Sequence, residues 1–525
     1  MAFHISSLLE TFPRLQDGLK PAVIALATLL GLTALRRVFS LVKVVRSPSY
    51  FPKLWTPLQP FTVPGVLFKT ASTSSWNHGR DWHWVRRYQS TDRLPAHESK
   101  NIDGPISILD VKLRMGSQRS SFFKPEETME PFTYWGMNLI SSNGAMWRKH
   151  RRVVGPAFGP ELYKLVWRKT LEIYRDMIEV EGWKDKDVVD IPVIQKVTFK
   201  IAFLIVRLLP PQAADGGMPV QEALRVVADT IVLFTAVPKW LYYLPIPKLR
   251  EIQLARERLR VFMQEQVVQR RALVAAGDTR ADVFTIMVKS NQDESSKYQL
   301  DDDELIGNIF AFLFAGHETT ANTFAVTLGY MAINEEIQNE VVEQIMSVVG
   351  PDRDPEYDDY PKLDKVLAIF YEATRMVPAG HVLIRQAMED TVLNVPNPVG
   401  EEGSKMVPIP KGTEVILDMV GVQYNPRYFE DPETYKPSRW YGLPPDSERF
   451  TAFSVGGRAC LGRKFATVEA TCFLTLILRE WQVLPVFRSG ETKEAWSARV
   501  MNDTRALMTL SVAEFPLRLV RRKRV

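Results

Sequence analysis

Two cysteines in 525 residues are too few for a disulfide-built scaffold and suit a reducing compartment. Charge of either sign is not in excess: 66 Lys and Arg face 61 Asp and Glu, a net of +5. That balance is too mild to argue for nucleic acid as a partner. No internal repeat or low-complexity tract is visible. Long uncharged apolar runs are scarce as well. The one candidate, Pro21–Leu35 (PAVIALATLLGLTAL), is bounded by Lys20 and by Arg36-Arg37. As a helix it rises about 22 Å, short of the roughly 30 Å of a bilayer's hydrocarbon core.

What is there is apolar material for a large core: 46% hydrophobic residues, with 27 Phe and 12 Trp. Val38, Phe39, Leu41 and Val42 would lengthen the N-terminal run if the arginines between snorkel to the interface. A cleaved signal peptide is the alternative, but no small-residue cleavage site follows the run. Cations are denser after it (Arg36, Arg37, Lys43, Arg46, Lys53) than before it (Arg14, Lys20). The positive-inside rule therefore leaves the bulk of the chain on the cytosolic side of a retained anchor. Prolines 48, 52, 57, 60 and 64 then make a stiff, extended connector. The expected organisation is an anchor over 1–45, a linker over 46–65 and one large body over 66–525. The apolar, proline-broken stretch 237–247 is a candidate for dipping into lipid.

The most informative stretch is Phe453-Ser-Val-Gly-Gly-Arg-Ala-Cys-Leu-Gly462. A solitary Cys460 sits among glycines that let a bulky partner approach the backbone. Loop amides, the cations Arg458 and Arg463, and the start of the apolar helix that follows would all favour thiolate. A protected anionic sulfur is what haem iron takes as an axial ligand. Taken alone, a cysteine in a turn is as often a small buried residue. A phosphate loop is excluded, because Arg463, Lys464 and Phe465 stand where Lys and Ser or Thr belong after Gly462. Cys472, within the apolar helix, reads as core.

A second odd stretch lies mid-way along a long apolar helix that opens at Asp301-Asp-Asp-Glu304 and runs towards Ile333. Ala315-Gly316-His317-Glu318-Thr319-Thr320 places a glycine and a carboxylate where a core helix resists both. Alanine and glycine leave room for a small molecule. Thr319 can bond the carbonyl of Ala315, and Glu318 with Thr319 offers an acid and a hydroxyl for proton relay. A zinc helix is excluded because Ala321 takes the place of its second histidine.

Phe453, Gly456, Arg458, Cys460 and Gly462 fill the pattern Phe-x-x-Gly-x-Arg-x-Cys-x-Gly. The stretch resembles the cysteine-ligand loop of the cytochrome P-450 family, the haem-thiolate monooxygenases. Ala315–Thr320 resembles that family's oxygen-binding motif. Trp147 and Arg151 resemble the pair that holds one haem propionate, and Arg385 would meet the second. Glu372 and Arg375, with Arg439, resemble the buried triad that serves folding and haem retention. The resemblance implies a mainly α fold with a smaller β portion and one N-terminal anchor helix, carrying haem b (iron protoporphyrin IX) on Cys460. It implies electrons from NADPH through a flavoprotein NADPH-cytochrome reductase, docked on cations such as Arg148, Arg152, Arg463 and Lys464. It further implies O2 as oxidant, a lipophilic substrate, and single-pass residence in the endoplasmic reticulum membrane facing the cytosol. The segment Val377–Val382 would pass over the haem and shape the substrate site. The connector and Ala-Gly-His-Glu-Thr-Thr-Ala-Asn resemble fungal members of secondary metabolism, which makes a terpenoid the leading substrate class. The family departs here at Gln423, where many members carry a histidine near the propionates. The alternatives are an O2-independent haem-thiolate isomerase or dehydratase, for which Glu318 and Thr319 would be superfluous, and a non-catalytic haem sensor.

Overall fold

The computed structural model describes Gly31, Trp84, 121–202, 217–231, Tyr242, 246–277, 282–292, 297–396, 402–444, Ser447, 449–506 and 508–523. The chain divides into two units, one of them Met1–Trp55 with Pro95–Ile102, the other Thr56–Leu94 with Asp103–Val525. The expected anchor apart from Gly31, the linker, and most of 237–247 lie outside the described residues. Among the described residues no helix is long and apolar enough to cross a membrane.

In the second unit β1 (Phe122–Phe123) leads to the helices α1 (Gly144–Val154) and α2 (Pro160–Val180). Strand β2 (Val188–Ile191) is followed by α3 (Ile194–Ala202), α4 (Val220–Thr230), α5 (Pro247–Ala275) and α6 (Val283–Gln292). The central helix α7 (Asp302–Ile333) gives way to α8 (Glu335–Val348) and α9 (Asp364–Met376). Strands β3 (Val382–Ala387), β4 (Thr391–Pro396), β5 (Ser404–Ile409) and β6 (Glu414–Asp418) come next. The chain closes with α10 (Arg463–Glu480), β7 (Trp481–Pro485), α11 (Lys493–Val500), β8 (Thr504–Ala506), β9 (Leu510–Val512) and β10 (Leu517–Arg521). Helices dominate. The strands form small antiparallel sheets ordered β1-β3-β6 and β2-β10-β7, with hairpin pairs β4-β5 and β8-β9.

Helix α7 is the axis of the core. At 32 residues it rises about 48 Å. Its start is fixed by a capping box: Asp301 Oδ1 accepts from the amide of Glu304, and Glu304 Oε2 accepts from the amide of Asp301. Packed against α3, α9, β7 and α5, it is buried on all sides, so its apolar residues show no single stripe. Gly307 is needed where a loop crosses it: a Cβ there would stand 2.5 Å from the carbonyl oxygen of Gly136. Gly136 itself has φ of +132°, a region that favours glycine.

The triad is present and larger than the sequence suggested. Glu372 Oε1 and Oε2 accept from Arg375 Nη2 and Nε at 2.8 and 2.9 Å, and Oε1 also accepts from Arg439 Nε at 3.2 Å. Trp440 Nε1 and the amide of Lys436 add two further donors. Arg375 spends its remaining N–H groups on the carbonyls of Gln423, Pro432 and Thr434. This network ties α9 to the segment that precedes the cysteine loop. Helix α9 begins only at Asp364, because Pro361 falls in a separate 3-10 turn, Tyr357–Lys362.

Two predictions follow from this core. Glu372→Ala strands two buried guanidinium partners and is expected to cost about 3–5 kcal/mol, read as a lowered thermal midpoint and reduced soluble yield. The second concerns acid. Burial holds His317 and His381 near a pKa of about 4, below the ordinary 6.5. The unfolded chain therefore takes up their protons first. Their stabilising contribution is whole above pH 6.5 and is lost as pH falls towards 4, by up to roughly 3 kcal/mol each. His317→Gln should flatten the midpoint against pH across that window.

Candidate haem-thiolate site

The sulfur of Cys460 is held by the turn that the glycines predicted. The amide of Cys460 donates to the carbonyl of Phe453 at 2.9 Å, and that of Ala459 to Gly456 at 3.0 Å. Gly456 and Ser454 both take positive φ, 72° and 61°, which folds the backbone around the sulfur. The amides of Gly462 and Arg463 point at Sγ. Cys460 keeps accessible surface although protein mass surrounds it closely enough to desolvate the thiol. It therefore lines a recess, not the outer surface. Cys472 is core, as expected, its Sγ 3.6 Å from the carbonyl of Trp167.

The electrostatics differ from the expectation in two respects. Arg151 and Arg463, not Arg458, are the cations that act on the sulfur. Arg458 lies 4.2 Å over the Trp147 ring and donates to the carbonyl of Ser142 at 3.0 Å. Trp147 thus positions an arginine as well as standing one turn from Arg151. Further, burial outweighs all the amides and cations and raises the thiol above its ordinary 9. The protein alone does not hold the thiolate; the charge of a metal would have to complete the task.

The surroundings of Cys460 are rich in positive charge without a matching carboxylate. Arg151 comes from α1, Arg385 from mid-β3, Arg458 from the cysteine loop, and Lys124 from the turn after β1. Burial pushes Arg385 and Arg458 each down to about 10. Lys124 falls well below its ordinary 10.5 through burial and the nearby charges of Arg385 and Arg458. Among the described residues none of these four makes an ion pair with a carboxylate, and Nη1 of Arg458 is buried without a hydrogen-bond partner. Desolvated cations of this kind are stable only beside anions. A sulfur in a recess with desolvated cations nearby fits a haem: Cys460 would hold the iron, and Arg151, Arg385, Arg458 and Lys124 would be the cations available to its propionates. Lys124 was missed in the sequence, where it carries no motif.

Helix α7 supplies the other half of the site. Beyond its exposed first turn, only Ala315, Gly316, Glu318 and Thr319 escape burial. The mid-helix opening is therefore the motif itself. Thr319 Oγ donates to the carbonyl of Ala315 at 2.6 Å, as expected, and Thr323 and Thr327 repeat this back-bonding at 2.8 and 2.7 Å. Glu318 does not bond Thr319. Its carboxyl accepts from Thr509 instead, and burial raises its pKa above the ordinary value, followed by that hydrogen bond, which lowers it, and by Asp229, which raises it. A carboxyl so placed keeps a proton more readily than one in water, which suits a proton donor. His317 points away, with Nε2 3.3 Å from the carbonyl of Phe199. Gln423 is buried on the triad side, its Nε2 donating to Thr451.

Some of the proposed docking cations are engaged within the chain. Arg152 lies over the Tyr298 ring, Lys464 over Tyr360, and Arg463 donates to the carbonyl of Ser447. These contacts leave part of each charge at the surface but fix where it stands.

Because Arg385 has no carboxylate partner, Arg385→Met should fold while weakening cofactor retention. A loss of about 1.5–3 kcal/mol for a charge-assisted bond corresponds to roughly ten- to hundredfold faster cofactor transfer to apomyoglobin.

Comparison with known proteins bears on the family to which the chain belongs. The sequence profile described as Cytochrome P450 matches residues 110–510. Cytochrome P450 monooxygenase 124 of Postia placenta is 34% identical over 423 residues, covering 77% of this chain and 80% of that protein. Cyclooctat-9-en-7-ol 5-monooxygenase of Streptomyces melanosporofaciens is 27% identical over 358 residues, 67% of this chain and 73% of that one. The crystal structure of the cytochrome P450DA haem domain superposes with a TM-score of 0.63 at 21% identity, over 80% of this chain and 87% of that one, a likeness of fold. With a profile match across most of its length and a relative of this similarity, the chain belongs to the cytochrome P450 family and is an oxidoreductase, a haem monooxygenase.

Proposed function

We propose that the protein hydroxylates a lipophilic, terpenoid-like metabolite, with electrons passed from NADPH by a reductase, while its N-terminal segment holds it to the endoplasmic reticulum membrane with the catalytic body in the cytosol. The observation that carries the reading is the pairing of the Cys460 recess, ringed by carboxylate-free cations, with an opening in α7 confined to Ala315, Gly316, Glu318 and Thr319. A haem bound at Cys460 supplies the reductive activation of dioxygen. This chain's residues do the rest. Gly316 and Ala315 leave space against the helix, Thr319 presents a hydroxyl already tied to Ala315, and burial favours the protonated form of Glu318 more than water would.

The apolar character of the substrate is supported by the rings around the first half of α7. Phe132 meets Phe314 at 5.5 Å between centroids, Trp135 meets Phe310 at 4.5 Å, and Phe158 meets Phe312 at 5.6 Å. Rings packed in this way make the surroundings of the helix apolar, which favours a hydrocarbon over a charged ligand at the opening. The name of the Streptomyces relative, which specifies an alcohol substrate, is consistent with a terpenoid. Membrane attachment is supported by Pro21–Leu35 and by the cations that follow it.

Co-expression with a fungal reductase tests the whole reading at once. The full chain should sediment with microsomes, show the thiolate-type carbon monoxide spectrum, and convert members of a terpenoid alcohol panel to products one oxygen heavier in an NADPH-dependent way. Removing 1–45 should move the protein to the soluble fraction with its spectrum intact. Turnover of fatty acids alone, or a soluble full chain, would overturn the substrate or the membrane assignment respectively.

A further inference from the structure

Helix α7 carries its acid in a grip that the motif does not contain. Glu318 Oε1 accepts from Oγ of Thr509 at 2.5 Å. Thr509 is 6% exposed and lies in the turn that joins β8 to β9, far along the chain. Asn322 stands four residues after Glu318, on the same face of the helix, and its Nδ2 lies 3.5 Å from the same Oγ. The threonine hydroxyl has one proton to give. With Asn322 as donor on one side, that proton is directed to Glu318 on the other. The next residue, Leu510, donates its amide to the carbonyl of Ala379 at 3.0 Å. Ala379 belongs to the segment Val377–Val382, which by family resemblance would pass over the haem and border the substrate. The charged group facing Glu318 from α4 is Asp229, itself faced by Arg225, Lys248, Arg505 and Glu222.

We propose that Thr509 is a positioning residue for Glu318. The β8–β9 turn holds the carboxyl on the Asn322 side, away from Thr319, and the Leu510–Ala379 bond couples that hold to the segment bordering the substrate. Proton donation at the mid-helix opening then depends on substrate contacts made in 377–382, because the same short hairpin fixes both. This inference rests on the monooxygenase reading of Glu318 and Thr319.

The test uses full-length protein with its reductase and compares Thr509→Val, Thr509→Ser, Glu318→Gln and the Val/Gln double variant. Two readouts are taken: the fraction of NADPH electrons lost as hydrogen peroxide, and the infrared carboxyl band of Glu318 in the resting protein, assigned by its loss in Glu318→Gln. Thr509→Val is expected to shift the band and raise peroxide loss severalfold. Serine should restore both, and the double variant should behave as Glu318→Gln alone. If valine unsettles the hairpin, Asn322→Ala should move the same band with the hairpin sequence untouched. An unchanged band and unchanged peroxide fraction in Thr509→Val, or a serine variant that behaves as valine does, overturns the proposal. Should Glu318→Gln itself leave peroxide loss unaltered, the role of the acid fails instead, and the infrared band alone decides whether Thr509 grips it.

Discussion

Everything at the centre of this protein depends on charge that the chain does not neutralise by itself. Lys124, Arg151, Arg385 and Arg458 arrive from four different elements, and among the described residues none of them pairs with a carboxylate. The thiol at their edge is raised by burial. Desolvating like charges together is costly, and no packing gain in the immediate loop offsets it. The arrangement becomes favourable when an anionic group with two carboxylates and a cation for the sulfur enters. Cofactor binding and folding of this region are therefore expected to be linked.

Such a site needs a scaffold stiff enough to keep cations close in the absence of mutual attraction. The Glu372 network provides it. One carboxylate satisfies two guanidiniums, an indole N–H and a backbone amide, while Arg375 reaches three carbonyls in the chain leading to the cysteine loop. The network is buried, with Glu372 and Arg375 at 0% exposure, so each bond is made in a low dielectric where leaving it unmade is expensive. Helix α9, which ends at Met376, is followed after a short segment by β3 (Val382–Ala387) and its Arg385. Rigidity at the triad is thereby transmitted to one of the cations that would meet a propionate.

Motifs whose chemistry conflicts with their surroundings were the legible ones. A glycine and a glutamate inside an apolar helix, and a cysteine among glycines, stand out because local propensity argues against them. The capped start of α7 was equally readable from Asp301 and Glu304. Residues that serve the same site from ordinary positions left no trace. Lys124 follows two phenylalanines on a short strand, Trp440 looks like core, and Thr509 sits in an unremarkable turn. Each is defined by what the fold brings near it, over separations that no local spacing encodes. Arg458 was legible as a site residue but not in its direction, since only the packed structure places Trp147 beneath it.

The threonines of α7 join these threads. Thr319, Thr323 and Thr327 each return their hydroxyl to the carbonyl four residues earlier, which consumes the hydroxyl proton within the helix. A threonine in that state offers lone pairs, not a proton, to the opening. Thr319 can therefore accept from a neighbouring acid, and it can donate outward only by releasing Ala315. Glu318, whose burial raises its pKa above the ordinary value, has Thr509 and not Thr319 as its partner in the structure. The acid and the hydroxyl of the motif thus occupy separate resting bonds, and proton movement between them requires one of those bonds to open. In a helix buried along nearly its whole length, the only residues with room to do so are the four that line the gap.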